Sequence, residues 1–272
     1  MLKLLYSAEL KQKLNQEIYS KFYCSQDGEC KYFSVCKKRL RNKIPKHKCD
    51  RVRIGKNYGQ PGIPKIMCLG IEGICKNEQL NERQVLQDFL PPSKDASNPH
   101  YNGVIYVLKY ILSHYLKDCQ KPDPKICKND GNKNSNITDL FVLSNFYKCA
   151  FVPADDPEKT TALSHTKGMR MHCQEILMEE IRIIKPDVLI VQSAQWPNGL
   201  WQNMKDRFHF ENAVLGFGKN EETSVFMGDI DRQPMILVCT YHGAYRKFKN
   251  REYIETELNP VLDKAIELLG SH

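Results

Sequence analysis

The chain has 272 residues, of which 41% are hydrophobic and 26% charged, enough for a real core under an ordinary charged surface. Its formal net charge is +8 and its pI is about 8.8, a balance that suits a polyanionic partner without requiring one. No apolar run approaches the roughly 20 residues of a membrane-spanning helix, so a membrane-embedded class is excluded.

The first residues, Met1 to Phe22, place Leu4, Leu5, Leu10, Leu14 and Ile18 near one helical face. They lack a small-residue cleavage site, so the expectation is a cytoplasmic chain (nuclear, if eukaryotic) with no signal peptide. Eleven cysteines then fit metal ligation by a subset, with the others as small core residues, better than a disulfide framework. After residue 60 short apolar runs alternate with helical patterns. Lys65–Gly70, Asp139–Asn145, Asp187–Gln192 and Met235–Thr240 read as strands buried on both faces of a parallel sheet. Tyr106–Leu116 and Gly168–Ile184 carry apolar residues at helical spacing. A last helix is expected to be capped by Asn259, with Pro260 in its first turn and Gly270 at its end. Cys119–Thr138 and Ala150–Thr166 read as irregular insertions; Asn136-Ile137-Thr138 is a sequon that a cytoplasmic chain leaves unused. The expected architecture is α/β: one domain over residues 1–272, a three-layer sandwich around a central, mainly parallel four-stranded sheet. An N-terminal helix and a cysteine-rich segment occupy residues 1–60.

Open α/β sheets bind ligands beyond the carboxyl ends of their strands. Those ends are Gly70-Ile71-Glu72-Gly73, Ser144-Asn145, Gln192-Ser193 and Tyr241-His242-Gly243. An acid, an amide and a histidine are thereby expected to meet in one crevice. A solvated Glu72 and a merely hydrogen-bonded His242 are the plain alternatives for each residue alone.

These segments resemble the iron–sulfur branch of the uracil-DNA glycosylase superfamily. The resemblance is carried by Gly70-Ile71-Glu72-Gly73, by Asn145-Phe146-Tyr147-Lys148-Cys149, by Cys173 followed by Lys185-Pro186-Asp187-Val188-Leu189, and by His242-Gly243-Ala244. It spans about Cys24 to Lys249, and its most specific part is the Asn-x-x-Lys-Cys and Cys–Lys-Pro pair. It implies a DNA glycosylase, a hydrolase of N-glycosyl bonds, acting as a monomer on a flipped-out pyrimidine and leaving an abasic site. Glu72 would orient water or stabilise the sugar cation, and His242 would donate to the departing base. Asn145 would read the base edge, Tyr101 would stack on it, and Gly70 and Ile71 would line the pocket. Arg246, Lys247, Lys249 and Arg251 would meet DNA phosphates, with the basic stretch Lys37–Arg53 as a second patch.

The resemblance also implies a [4Fe–4S] cluster on two early and two later cysteines. Cys149 and Cys173 match the later pair. Cys24, Cys30, Cys36 and Cys49 all remain open for the early pair, with Cys30 and Cys36 favoured because Lys38-Arg39 follow them. The rival reading has those four early cysteines holding one structural zinc. Cys68 and Cys239, inside apolar strands, are read as core.

Three departures bear on the substrate. Gly73 and Gly243 stand where the family has proline, and Ile74-Cys75 occupies the region of a tyrosine that blocks the pyrimidine C5 position. They imply a roomier pocket, suited to uracil or to a 5-substituted cytosine such as a modified phage base, in repair or anti-phage defence. The alternatives are a non-catalytic iron–sulfur DNA-binding relative and a zinc-bearing nuclease; no Asp/Glu/His spacing supports the last.

Overall fold

The computed structural model describes residues 2–22, 30–38, 40, 42–47, 51–72, 99–117, 119, 121–122, 137, 139–155, 167–192, 200–219, 221–241, 248 and 250–271. At Ile71, Glu72 and Tyr101 it describes the backbone alone.

Helix α1 (Leu2–Leu14) passes through a π-helical turn (Asn15–Tyr19) into α2 (Ser20–Phe22). Leu10, Leu14 and Ile18, spaced four residues apart, are buried, as an amphipathic stripe requires. Helix α3 (Phe33–Lys38) leads to β1 (Lys43–His47) and β2 (Arg53–Ile54). Strand β3 (Ile66–Glu72), α4 (Pro99–Leu112), β4 (Phe141–Tyr147), β5 (Ala150–Pro153), α5 (Lys167–Ile184) and β6 (Val188–Gln192) follow. The chain closes with α6 (Leu200–Phe208), β7 (Leu215–Phe217), β8 (Thr223–Ile230), β9 (Gln233–Thr240), α7 (Arg251–Tyr253), a second π-helical turn (Ile254–Leu258) and α8 (Asn259–Gly270). No helix among the described residues is long and apolar enough to cross a membrane.

The fold is α/β. Its main sheet has seven strands in the order β2-β4-β3-β6-β9-β8-β7, and β1 pairs with β5 in a separate two-stranded ribbon. The expectation of a four-stranded, mainly parallel sheet is therefore corrected: the sheet is larger and mixed. The expected strands form its parallel centre, β4-β3-β6-β9. Strands β2, β8 and β7 add antiparallel edges. Strand β8 was hidden because its hairpin with β9 turns on Asp231 and Arg232 rather than on a glycine. Both adopt positive φ (50° and 68°), as a two-residue hairpin loop of this hand demands.

Side chains alternate across the central strands into two cores. Met67, Leu69, Val142, Leu189, Val191 and Leu237 join one with α5 and the N-terminal helices. Ile66, Cys68, Leu143, Val188, Ile190 and Val238 join the other with α4 and α8. At the amino ends of the strands Asp187 acts as a clamp. Its carboxylate accepts from the Lys65 backbone N–H at 2.8 Å, pairs with Lys65 Nζ at 3.2 Å, and accepts from Gln233 Nε2 at 3.4 Å. The Lys-Pro-Asp-Val stretch thus fixes the starts of β3, β6 and β9 in step.

Smaller expectations also shift. Helix α4 starts at Pro99, so Tyr101 lies within its first turn rather than ahead of it. Ala150–Pro153 is a strand, because β1 supplies it a partner. Asn259 does not cap: the chain is already helical there, and its Oδ1 instead accepts from the Tyr106 hydroxyl at 2.8 Å, tying α8 to α4.

Candidate functional site

Three rungs cross the four parallel strands on the face covered by α4 and α8. The first is Phe141–Ile66–Val188–Ile236 and the second is Leu143–Cys68–Ile190–Val238, both wholly apolar. The third begins with the pair Gly70↔Asn145 and ends with the pair Gln192↔Thr240. One step past Leu69↔Val191, the same register sets Gly70 level with Gln192. At the carboxyl edge of the sheet the rung therefore reads amide, glycine, amide, hydroxyl, and Asn145, Gln192 and Thr240 are all buried. The rung turns from apolar to polar at the carboxyl ends of the parallel strands, the end at which open α/β sheets bind their ligands.

Gly70 makes this rung possible. A Cβ there would stand 2.6 Å from Asn145 Oδ1, so the amide of Asn145 leans over the bare backbone of β3. Two residues beyond Gly70, the backbone of Glu72 pairs with Tyr147, which carries the acid of the expected set to the same edge. Ile71 lies between them in β3. Thr240 donates its hydroxyl to the Tyr241 carbonyl at 3.0 Å and closes the row.

His242, Arg246, Lys247 and Lys249 lie outside the described residues. The ends of their segment are anchored on one residue: the rings of Tyr241 and Phe248 both meet Tyr253 edge-on, at centroid distances of 5.5 and 5.8 Å. Tyr253 is held in turn by a 3.1 Å hydrogen bond with Thr223. Arg251 is exposed at the start of α7 and forms an ion pair with Glu255 at 2.6 Å, so a phosphate would have to compete with that carboxylate.

The opposite face of the sheet carries a charged network with no access to water. Lys148 and Glu180 are wholly buried and meet at 2.7 Å. Lys148 Nζ also donates to Ser144 Oγ, and Ser144 donates to the same Glu180 oxygen, each at 2.7 Å. Glu180 accepts a further bond from the Tyr19 hydroxyl at 3.0 Å, and Tyr19 accepts from the Val52 backbone N–H at 2.9 Å. A buried ion pair endures only when its remaining lone pairs and protons are satisfied, and this one is supplied from four elements. Sequence reading took Lys148 as part of a pattern and missed Glu180. The available signal was an acid on the apolar stripe of α5, three residues after Leu177 and four before Ile184.

Beside this network the chain gathers Cys30, Cys36, Cys149 and Cys173, all buried. Aromatic stacking brings the early pair to the later one: Tyr32 lies on His172 of α5 at 3.8 Å, and Phe33 on Phe151 of β5 at 5.6 Å. The Cys149 thiol donates to Cys30; this bond and burial, with the charges of Cys173, Cys30 and Cys36, push Cys149 far up. The same bond, helped by the Tyr32 backbone N–H, holds Cys30 below the ordinary thiol range despite burial. Burial pushes Cys173 up to about 12, against a 3.3 Å bond from the Lys148 backbone N–H. Four crowded thiols resist ionising together, and a bound cation reverses that balance. Two sulfurs that already receive backbone N–H donors suit an iron–sulfur or zinc centre. Among the described residues, no three His, Cys, Asp or Glu groups stand at metal-holding spacing. Cys24 and Cys49, needed by the rival zinc set, lie outside the described residues. Cys68 and Cys239 stay apart inside strands, where burial raises both, Cys239 to about 12.

Comparison with known proteins finds no family model and no curated protein that matches the chain, so its own geometry carries the functional reading.

Proposed function

We propose that the chain is a DNA glycosylase that hydrolyses the N-glycosidic bond of a flipped-out pyrimidine, uracil or a 5-substituted cytosine. The observation that carries this reading is the buried polar rung at the carboxyl edge of the parallel strands. There Asn145 leans over Gly70, and β3 runs on to Glu72. An amide offers both a donor and an acceptor to a base edge. As the C1′–N1 bond breaks, its electron pair leaves with the base and the sugar becomes cationic at C1′. Glu72 stabilises that cation and accepts the proton of the water adding to C1′, while His242 donates to the departing base. Tyr101, at the start of α4, supplies the stacking surface.

The four gathered cysteines support a [4Fe–4S] centre held by Cys30, Cys36, Cys149 and Cys173, with a zinc on Cys24, Cys30, Cys36 and Cys49 as the alternative. Its contribution would be structural ligation, fastening the N-terminal segment to the end of β4 and to α5. The test is excision from duplexes bearing uracil, mismatched thymine or bulky 5-modified cytosines, using anaerobically purified protein. Abasic sites that vanish in Glu72→Gln and His242→Ala support the enzyme and identify its base. Tight DNA binding with intact strands across the panel would favour a non-catalytic binding relative, as the glycines at 73 and 243 allow.

A further inference from the structure

The polar rung contains one group that the catalytic reading leaves without a task. Gln192 is only 4% exposed, yet its Nε2 is buried without a hydrogen-bond partner. A buried donor left unpaired is costly, and proteins rarely keep one unless something outside the chain completes it. Its position is defined. Ile190 and Val188, two and four residues earlier on β6, point into the core beneath α4 and α8, so alternation sets Gln192 on that same face. Thr240, its neighbour on β9, spends its hydroxyl on the Tyr241 carbonyl and does not serve it.

Across the sheet, Gln192 and Asn145 flank Gly70. Two strand spacings separate their backbones, about 9.6 Å, and Asn145 Oδ1 leans into the notch that the missing side chain of Gly70 leaves between them. A flat heterocycle seated against that oxygen would meet it with an N–H and turn a carbonyl oxygen toward Gln192 Nε2, each through a hydrogen bond of about 2.9 Å.

We propose that Gln192 is a second ligand-reading amide, whose Nε2 donates to an oxygen of the ligand that Asn145 holds from the other side of the Gly70 notch. The inference rests on the DNA-glycosylase reading and deepens it, by requiring a ligand oxygen beyond the edge that Asn145 reads. That oxygen comes from one of two sources, a carbonyl or substituent of the base or a phosphate beside it.

The test compares wild type with Gln192→Met, which keeps the shape and removes the donor, on two duplexes. One carries the base that wild type excises best, and the other a tetrahydrofuran abasic analogue with the same phosphates. The expected result is a roughly tenfold loss of affinity with an unchanged or raised melting temperature, because the variant no longer buries an unpaired donor. Loss on the base-bearing duplex alone places the oxygen on the base; equal loss on both places it on a phosphate. Gln192→Glu, which turns the donor into an acceptor, should weaken binding further, and it serves if the methionine variant fails to fold. Unchanged affinity for both duplexes, or a lowered melting temperature with binding retained, overturns the proposal and makes Gln192 a structural residue. If wild type binds neither duplex, the glycosylase reading fails first and this inference fails with it.

Discussion

Replacing Glu180 by Gln should be among the most damaging single changes of near-constant shape in this protein. At 2.7 Å the gross attraction between Lys148 and Glu180 is about 6 kcal/mol at an effective dielectric constant of 20, and the cost of removing both ions from water offsets most of it. The net worth of the intact pair is therefore small. The worth of not breaking it is large, because Glu180→Gln leaves an ammonium at zero exposure facing a neutral amide. The expected loss is about 3–5 kcal/mol, which lowers the melting temperature by roughly 6–20 °C in a chain of this size. Lys148→Met should cost a similar amount by stranding the carboxylate. The double variant removes both charges while leaving an amide oxygen to accept from Tyr19 or Ser144. It should be more stable than the sum of the single losses implies by at least about 2 kcal/mol. Urea titrations of the four proteins, with equal m-values as a check on two-state behaviour, measure this coupling. Losses that add to within about 0.5 kcal/mol would refute the argument, since they would mean that neither charge depends on the other.

Other outcomes follow from single contacts. Gly70→Ala should push Asn145 out of its place, cutting excision at least about tenfold while moving the melting temperature by only a few degrees; steady-state kinetics beside calorimetry measure both. Serine at Cys30, Cys36, Cys149 or Cys173 should each lower bound iron, read by elemental analysis and the visible spectrum, whereas serine at Cys68 or Cys239 should leave the metal content unchanged. The Asp229 carboxyl is held below the ordinary range mainly by its 2.9 Å hydrogen bond to His209. A depressed carboxyl contributes stability that is present above its unfolded pKa and is lost as pH falls through the folded one. His209→Gln should therefore lessen the stability lost on acidification below about pH 4, by under about 1 kcal/mol because the pair is half-exposed, as acid titration of unfolding would show.

The parallel centre was legible because Val188–Gln192 and its neighbours are continuous apolar runs, the signature of strands covered on both faces. The edges were not. Strand β8 spells Thr-Ser-Val-Phe-Met-Gly-Asp-Ile, which mixes buried and half-buried positions, and its turn carries no glycine. Strand β2 has two residues and exists because β4 offers it a ladder. At the site, Asn145 and Gly70 could be named from the sequence but their contact could not. It depends on the register of β3 against β4, which sequence leaves unspecified. Glu180 and Tyr19 escaped for a related reason: a buried ion pair is a property of two distant segments, and each alone reads as ordinary helix.

Strand β4 joins the polar rung to the gathered cysteines. Alternation sends Asn145 toward the crevice, while Ser144 reaches the opposite side, where Lys148 and Glu180 lie. The next residue after Lys148 is Cys149, and the Lys148 backbone N–H binds Cys173. The sulfurs therefore belong to the core side of the sheet, next to the ion pair and across the sheet from the polar rung. A centre bound there would have no route to the reacting atoms except through the backbone of β4, so its effect on the crevice would be on where Asn145 sits. Loss of that centre should then appear first as weaker ligand binding and lower stability, with Glu72 and His242, the groups proposed to break the bond, left chemically intact. A centre that took part in the chemistry would have to sit on the face that carries Gly70 and Gln192, and none of the four gathered cysteines belongs to that core.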